Sequence, residues 1–146
     1  VKAFDVHIRS KDLEAFRRRV LYYYRKFPKV EYMEVIFIRQ GVGTFHIESF
    51  HKLRFTKRDT HIVDCDDLQY QELKNQAFSQ GLSFGTIHTH TVCDSAASKY
   101  DIVEGVREGE ALLGVCEVDE LPNGRMKTTL DFWIPQLPCT INQIRD

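Results

Sequence analysis

Long apolar runs are missing from this 146-residue sequence, whose longest wholly apolar stretches are a few residues, as in Val35-Ile36-Phe37-Ile38. A membrane-crossing helix needs about 20 consecutive apolar residues, so none is expected and no membrane partner is implied. Paired cysteines are missing too. The four cysteines, at 65, 93, 116 and 139, never form a C-x-x-C pair, which argues against a cysteine zinc site or a thioredoxin-like centre. The opening VKAFDVHIRSKD is too charged to read as a secretory signal, so reduced thiols and a cytoplasmic setting are the expectation. Repeats, low-complexity tracts and linker-like stretches are lacking, and residues 1–146 are expected to form a single domain.

What remains has the balance of a soluble globular protein, 42% apolar and 28% charged. A net charge of −1 hides an asymmetry: residues 1–60 carry 14 Lys/Arg against 7 Asp/Glu, while residues 61–146 carry 6 against 14. Such a split can steer a charged partner or simply reflect two mutually attracting faces.

Strand and helix signals alternate. Phe4 to Arg9 alternates as a short strand. Ser10 reads as a helix N-cap, with Asp12 and Glu14 in the first turn. Leu13, Phe16, Val20, Tyr24 and Phe27 then form one apolar stripe at helical spacing, opposite Arg18, Tyr22, Arg25 and Lys26, and Pro28 ends the helix. Residues 34–40 (EVIFIRQ) read as a buried strand that turns at Gly41-Val42-Gly43 and returns over 44–56. A short strand near 61–63 leads to a second helix, capped by Asp66 or Asp67 and ending near Gly81, with Leu68, Leu73, Ala77 and Tyr70 as its core-facing candidates. Residues 82–90 form another strand, 98–108 a third helix stopped by Gly109, and 111–118 with 126–134 a hairpin across Pro122-Asn123-Gly124. This order predicts an α/β or α+β layer around a mixed sheet.

The chemistry concentrates in His88-Thr89-His90, seven intervening residues, then Ser98-Lys99-Tyr100-Asp101. On a strand, positions 88 and 90 project from one face, so two imidazoles can share one ion. Ser98 and Asp101, three apart at a helix start, lie on one face, and Asp101 can return to the same metal as an oxygen ligand. Two imidazoles and a carboxylate leave a fourth position for water, which is the catalytic rather than the structural zinc pattern. A carboxylate that is not a ligand is then needed to move the proton, and Glu31, Glu34 and Glu48 are the candidates on strands. Four fixed residue types at this spacing arise by accident on the order of once in 10³ to 10⁴ chains.

The pattern H-T-H-x₇-S-x-x-D resembles, position for position, the signature E…H-x-H-x₇-S-x-x-D of the JAMM (MPN-type) metalloprotease family. In that family the glutamate stands on an early strand after the first helix and about seven residues before a glycine turn. Glu34, followed by VIFIRQ and Gly41, fits this place better than Glu31 or Glu48. The resemblance spans nearly the whole chain. It implies a JAB/MPN-like, cytidine-deaminase-like three-layer fold with one zinc ion per chain, held by His88, His90 and Asp101. Glu34 would be the general base, and Ser98 the donor to the oxyanion of the tetrahedral intermediate. It further implies hydrolysis of a peptide or isopeptide bond at the C-terminal tail of ubiquitin, a ubiquitin-like modifier or a prokaryotic sulfur-carrier protein. Thr91 replaces a proline common after the second histidine, and Phe37 a glycine common three residues after the glutamate. Both substitutions point to a divergent branch, and a chain of this length, with little room for long insertions, resembles a compact prokaryotic-type member.

Two rival readings are a catalytically silent MPN-type scaffold and a zinc hydrolase of small amides. His46-Ile47-Glu48 with Pro138-Cys139 faintly resembles a zinc deaminase signature, but Asn142 stands where the second cysteine ligand belongs. Arg17, Arg18 and Arg19 point about 100° apart on a helix and form no single patch for nucleic acid. Cys93 reads as an ordinary loop cysteine, although a thiolate three residues after His90 could also cap the open metal position.

Overall fold

A computed structural model describes residues 4–28, 30–58, 63–90, 99–136, 139–141 and 144–145. The elements in chain order are β1 (Asp5–Ile8), α1 (Ser10–Lys26), β2 (Met33–Gly41), β3 (Thr44–Lys52), β4 (Phe55–Arg58), β5 (Val63–Cys65), α2 (Asp67–Ser79), β6 (Ser83–His90), α3 (Lys99–Glu108), β7 (Leu112–Glu120), β8 (Met126–Ile134), β9 (Cys139–Ile141) and β10 (Ile144–Arg145). Eight strands make one mixed sheet in the order β10-β1-β3-β2-β6-β7-β8-β9, and β4 pairs with β5 separately. The β1–β3, β1–β10 and β6–β7 pairs are parallel; β2 runs antiparallel to both β3 and β6. The chain is thus α/β with a mixed sheet, as its alternating signals predict. Among the described residues no helix is long and apolar enough to cross a membrane.

Both faces of the sheet are covered, and β2 shows how they divide. Ile36 and Ile38 pack with Phe16 and Val20 of α1, whereas Val35 and Phe37 pack with Ala77 of α2 and Phe84 of β6. A strand buried on both faces reads as a continuous apolar run, which is why 35–38 shows no alternation in sequence. The α1 stripe buries Phe16 and Val20 with Leu13 and Tyr24 packed beside them, and leaves Tyr22 exposed.

Three local expectations are corrected. Ser10 is the first helical residue of α1, and the cap is Arg9, whose guanidinium bonds Asp12 (2.8 Å) and the carbonyl of Glu48 (3.0 Å). Leu68 is 67% exposed rather than core, because it sits in the first turn of α2 on its outer side. The strand expected over 44–56 breaks after Lys52. There the side chain of Gln69 accepts from the Arg54 amide (2.7 Å) and donates to the Lys52 carbonyl (3.3 Å), occupying groups that a continuous ladder would use. Asp66 caps α2 as expected, accepting from the Gln69 amide at 3.1 Å.

Candidate metal centre

His88 and His90 lie at the end of β6, which is paired on both sides, by β2 and β7. Their strand is therefore fixed, and alternation turns both rings to the face that carries α2 and α3. Gly109, with φ +76°, stops α3, and the Glu110 amide bonds back to the Gly105 carbonyl at 2.9 Å. Gly105 packs against the Pro135 ring so closely that an added Cβ would come within 2.8 Å of it. Asp101, in the first turn of the helix so held, comes to the two histidines.

The three donor atoms all lie within 4.8 Å of one another. His88 Nε2 is 3.0 Å from His90 Nε2, and Asp101 Oδ2 is 3.3 Å from the first and 3.8 Å from the second. A tetrahedral ion with bonds of about 2.0–2.1 Å needs its ligand atoms about 3.3 Å apart. The observed separations straddle that value, so the residues fit a single small cation. Burial helps: His88 is 4% exposed, and the side chains of His90 and Asp101 are 13% and 19% exposed. The other ring nitrogen of His88, Nδ1, is buried and has no hydrogen-bond partner among the described residues.

Glu34 does not join this group. Met33 stands opposite His88 in the β2–β6 register and Glu34 opposite Ile87, so the Glu34 side chain leaves through the other face of the sheet. It is fully buried there, under α1. Arg19 bonds both its oxygens, Nε to Oε2 and Nη2 to Oε1, each at 2.9 Å, and the Tyr32 hydroxyl donates to Oε2. Its hydrogen bonds to Glu34 raise the Arg19 guanidinium above its ordinary value. Burial, reinforced by the Glu34 charge, raises the Tyr32 phenol strongly. This is a structural ion pair, and the general-base role expected of Glu34 has no geometric support. Glu48 is elsewhere too, ion-paired with Arg39 at 2.6 Å. Ser98 and Cys93 lie outside the described residues.

Other carboxylates do share the metal face. The Tyr32 amide donates to Thr89 Oγ1 and the Thr89 amide to the Tyr32 carbonyl, both at 2.8 Å. Tyr32 points to Glu34 on the α1 side. Glu31 stands two residues before Met33, which is opposite His88, and strand alternation continued past the start of β2 would turn it toward the metal side. On the other flank, β7 places Glu117 beside His90. The sequence carried a signal for Glu31, one of the three candidate glutamates on strands, but none for Glu117.

Glu110, also unforeseen, is 5% exposed at the head of β7. Its Oε1 accepts from Thr86 Oγ1 at 2.5 Å and its Oε2 from the Tyr70 hydroxyl at 3.1 Å. With Thr86, Tyr70, Met33, His88 and Asp101 it lines a cavity of about 220 Å³ between α2 and α3. Burial pushes its carboxyl up to about 7, against the pull of those two hydroxyls. A carboxyl raised in the folded state favours folding in its protonated form, and that contribution is lost as pH rises through about 7. In chelator, the stability of the wild type relative to a Glu110→Gln variant should therefore fall by about 1–3 kcal/mol from pH 5 to pH 8. Urea denaturation of both proteins at the two pH values checks this; a gap that does not change with pH contradicts it.

No family model matches the chain, and no curated protein matches it. Among solved structures, the solution structure of protein DSY2949 from Desulfitobacterium hafniense is similar, with a TM-score of 0.62. The likeness covers 95% of this chain and 90% of that one at 13% identity. At that identity the likeness is one of fold alone, extending over the whole layered sheet rather than one motif.

Proposed function

We propose that this chain is a zinc-dependent hydrolase of the JAMM (MPN-type) kind, cleaving a peptide or isopeptide bond at the C-terminal tail of a ubiquitin-like or sulfur-carrier protein. The observation that carries the reading is the convergence of His88, His90 and Asp101 at ligand-to-ligand spacing, with the sequence pattern H-x-H-x₇-S-x-x-D behind it. When bound, zinc would supply Lewis-acid polarisation of a carbonyl and a water acidified to a pKa of about 7. His88 and His90 would hold the ion through Nε2 and Asp101 through Oδ2, a three-ligand set of the kind that leaves room for a water. Glu31, rather than Glu34, would take the proton of that water and return it to the leaving amine, a role supported by its position two residues before Met33, which stands opposite His88. Ser98 keeps the oxyanion-donor role implied by the resemblance.

The test combines metal analysis with a panel of fluorogenic ubiquitin-like conjugates and small amides. About one zinc per chain is expected, lost in His88→Ala and in Asp101→Asn. Glu31→Gln should keep its zinc and lose about 10²–10⁴-fold in kcat. A chain that takes up no zinc would sink the proposal. Zinc uptake without turnover of any substrate would favour the silent scaffold, and turnover of small amides alone would favour the amide hydrolase. Full activity in Glu31→Gln would return the base to another carboxylate, with Glu117 next to be replaced.

A further inference from the structure

We infer that Glu110 is a positioning residue for the metal group, receiving the Nδ1–H of His88 through a water in the cavity between α2 and α3. This inference rests on the metal reading above. Because His88 Nε2 faces His90 and Asp101, the ring can serve an ion only through that nitrogen. The neutral ring must then carry its proton on Nδ1, a buried donor with no direct protein partner. A buried donor left unbonded is costly, and metal-binding imidazoles ordinarily pass this proton to a carboxylate, a carbonyl or a water.

The lining of the cavity limits the choice of final acceptor. Glu104 is held by Arg107 at 2.5 Å, and Glu108 by Lys74 at 3.4 Å. Asp101 is on the Nε2 side, and Asp67, at the start of α2, is exposed. Glu110 is the buried carboxyl of the lining, with no cation paired to it among the described residues, and is anchored to Thr86, two residues before His88 on the same strand face. Each of its oxygens already accepts one hydroxyl and keeps a second lone pair. It makes no direct bond to His88, and the cavity of about 220 Å³ that both residues line, with Thr86 and Tyr70 beside them, is ample for a bridging water. Thr86 and Tyr70 would then act one step further out, fixing the carboxylate that fixes the ring.

Zinc affinity, measured by competition with a chromophoric chelator at pH 8, tests this. Glu110→Gln should weaken binding about 10–100-fold while far-ultraviolet circular dichroism remains that of the wild type, with Tyr70→Phe weakening it less. Long-range ¹⁵N–¹H correlation spectra of the zinc-loaded wild type should show His88 protonated at Nδ1 and metallated at Nε2. A folded Glu110→Gln that binds zinc within about twofold of wild type overturns the inference and leaves the metal reading intact. If that variant does not fold, the spectra decide: metal at Nδ1 overturns the inference, and the expected tautomer with a slowly exchanging Nδ1 proton supports it. A wild type that takes up no zinc overturns both.

Discussion

Replacing Arg19 with leucine is expected to destabilise the protein by about 3–5 kcal/mol, because it strands a buried carboxylate. Glu34 is 0% exposed and is held by two 2.9 Å bonds from Arg19. The Tyr32 hydroxyl alone would remain to it. The guanidinium also lies against the rings of Phe16 and Phe50, at 6.0 and 5.8 Å from their centroids, so packing is lost with the charge. In a chain of this size, the loss corresponds to a fall in Tm of roughly 10 °C or more. Two further measurements give the prediction its mechanism. The double variant Arg19→Leu/Glu34→Leu should recover much of the loss, since an apolar pair leaves no charge unpaired. Zinc affinity should not change in either variant, because the pair lies across the sheet from His88. Denaturation curves within about 1 kcal/mol of wild type would show that water reaches Glu34.

Gly85→Ala should be similarly severe, costing about 3 kcal/mol or more, and unlike Arg19→Leu it should also weaken zinc binding. Gly85 is paired with Ile36 of β2 and Leu112 of β7. A Cβ there would run into the carbonyl oxygen of Leu112, with the carbonyl carbon at 3.0 Å and Ile38 Cδ1 at 3.3 Å. The obstacle is backbone, so β6 and β7 must part rather than a side chain rotate. The displacement occurs three residues before His88, on the strand that sets the ring's direction. Gly114→Ala provides the comparison. Its Cβ would meet side chains, Ile87 Cγ1 at 2.8 Å and the Phe132 ring at 2.9 Å, which can give way at lower cost. Thermal denaturation and chelator competition on both variants check the order; a Gly85→Ala protein as stable as Gly114→Ala would contradict it.

Much of this molecule was legible from local pattern. The H-x-H step on a strand and the acid at the head of the next helix needed only the two periodicities, two residues per strand repeat and 3.6 per helical turn. The Leu13-Phe16-Val20 stripe, the Asp66 cap and the Gly43 and Gly124 turns followed equally from neighbours in sequence, and the structure places all of them as expected. Glu34 is the instructive failure. Its distance from Gly41 marked a place along a strand, but 35–38 is apolar at every position, so nothing local said which face Glu34 takes.

The sequence by itself determined that strands and helices alternate, and that two imidazoles and one carboxylate can meet, since each depends on residues a few positions apart. Tertiary structure alone decided that Glu34 stands on the side away from those imidazoles. That choice rests on the pairing of Met33 with His88, 55 positions away, and a slip of one residue would exchange Glu34 for its neighbours. It also brought Glu110, Thr86 and Tyr70 together from three separate elements around one cavity. Contacts between distant segments follow from how whole faces pack, and no short stretch of chain carries that information.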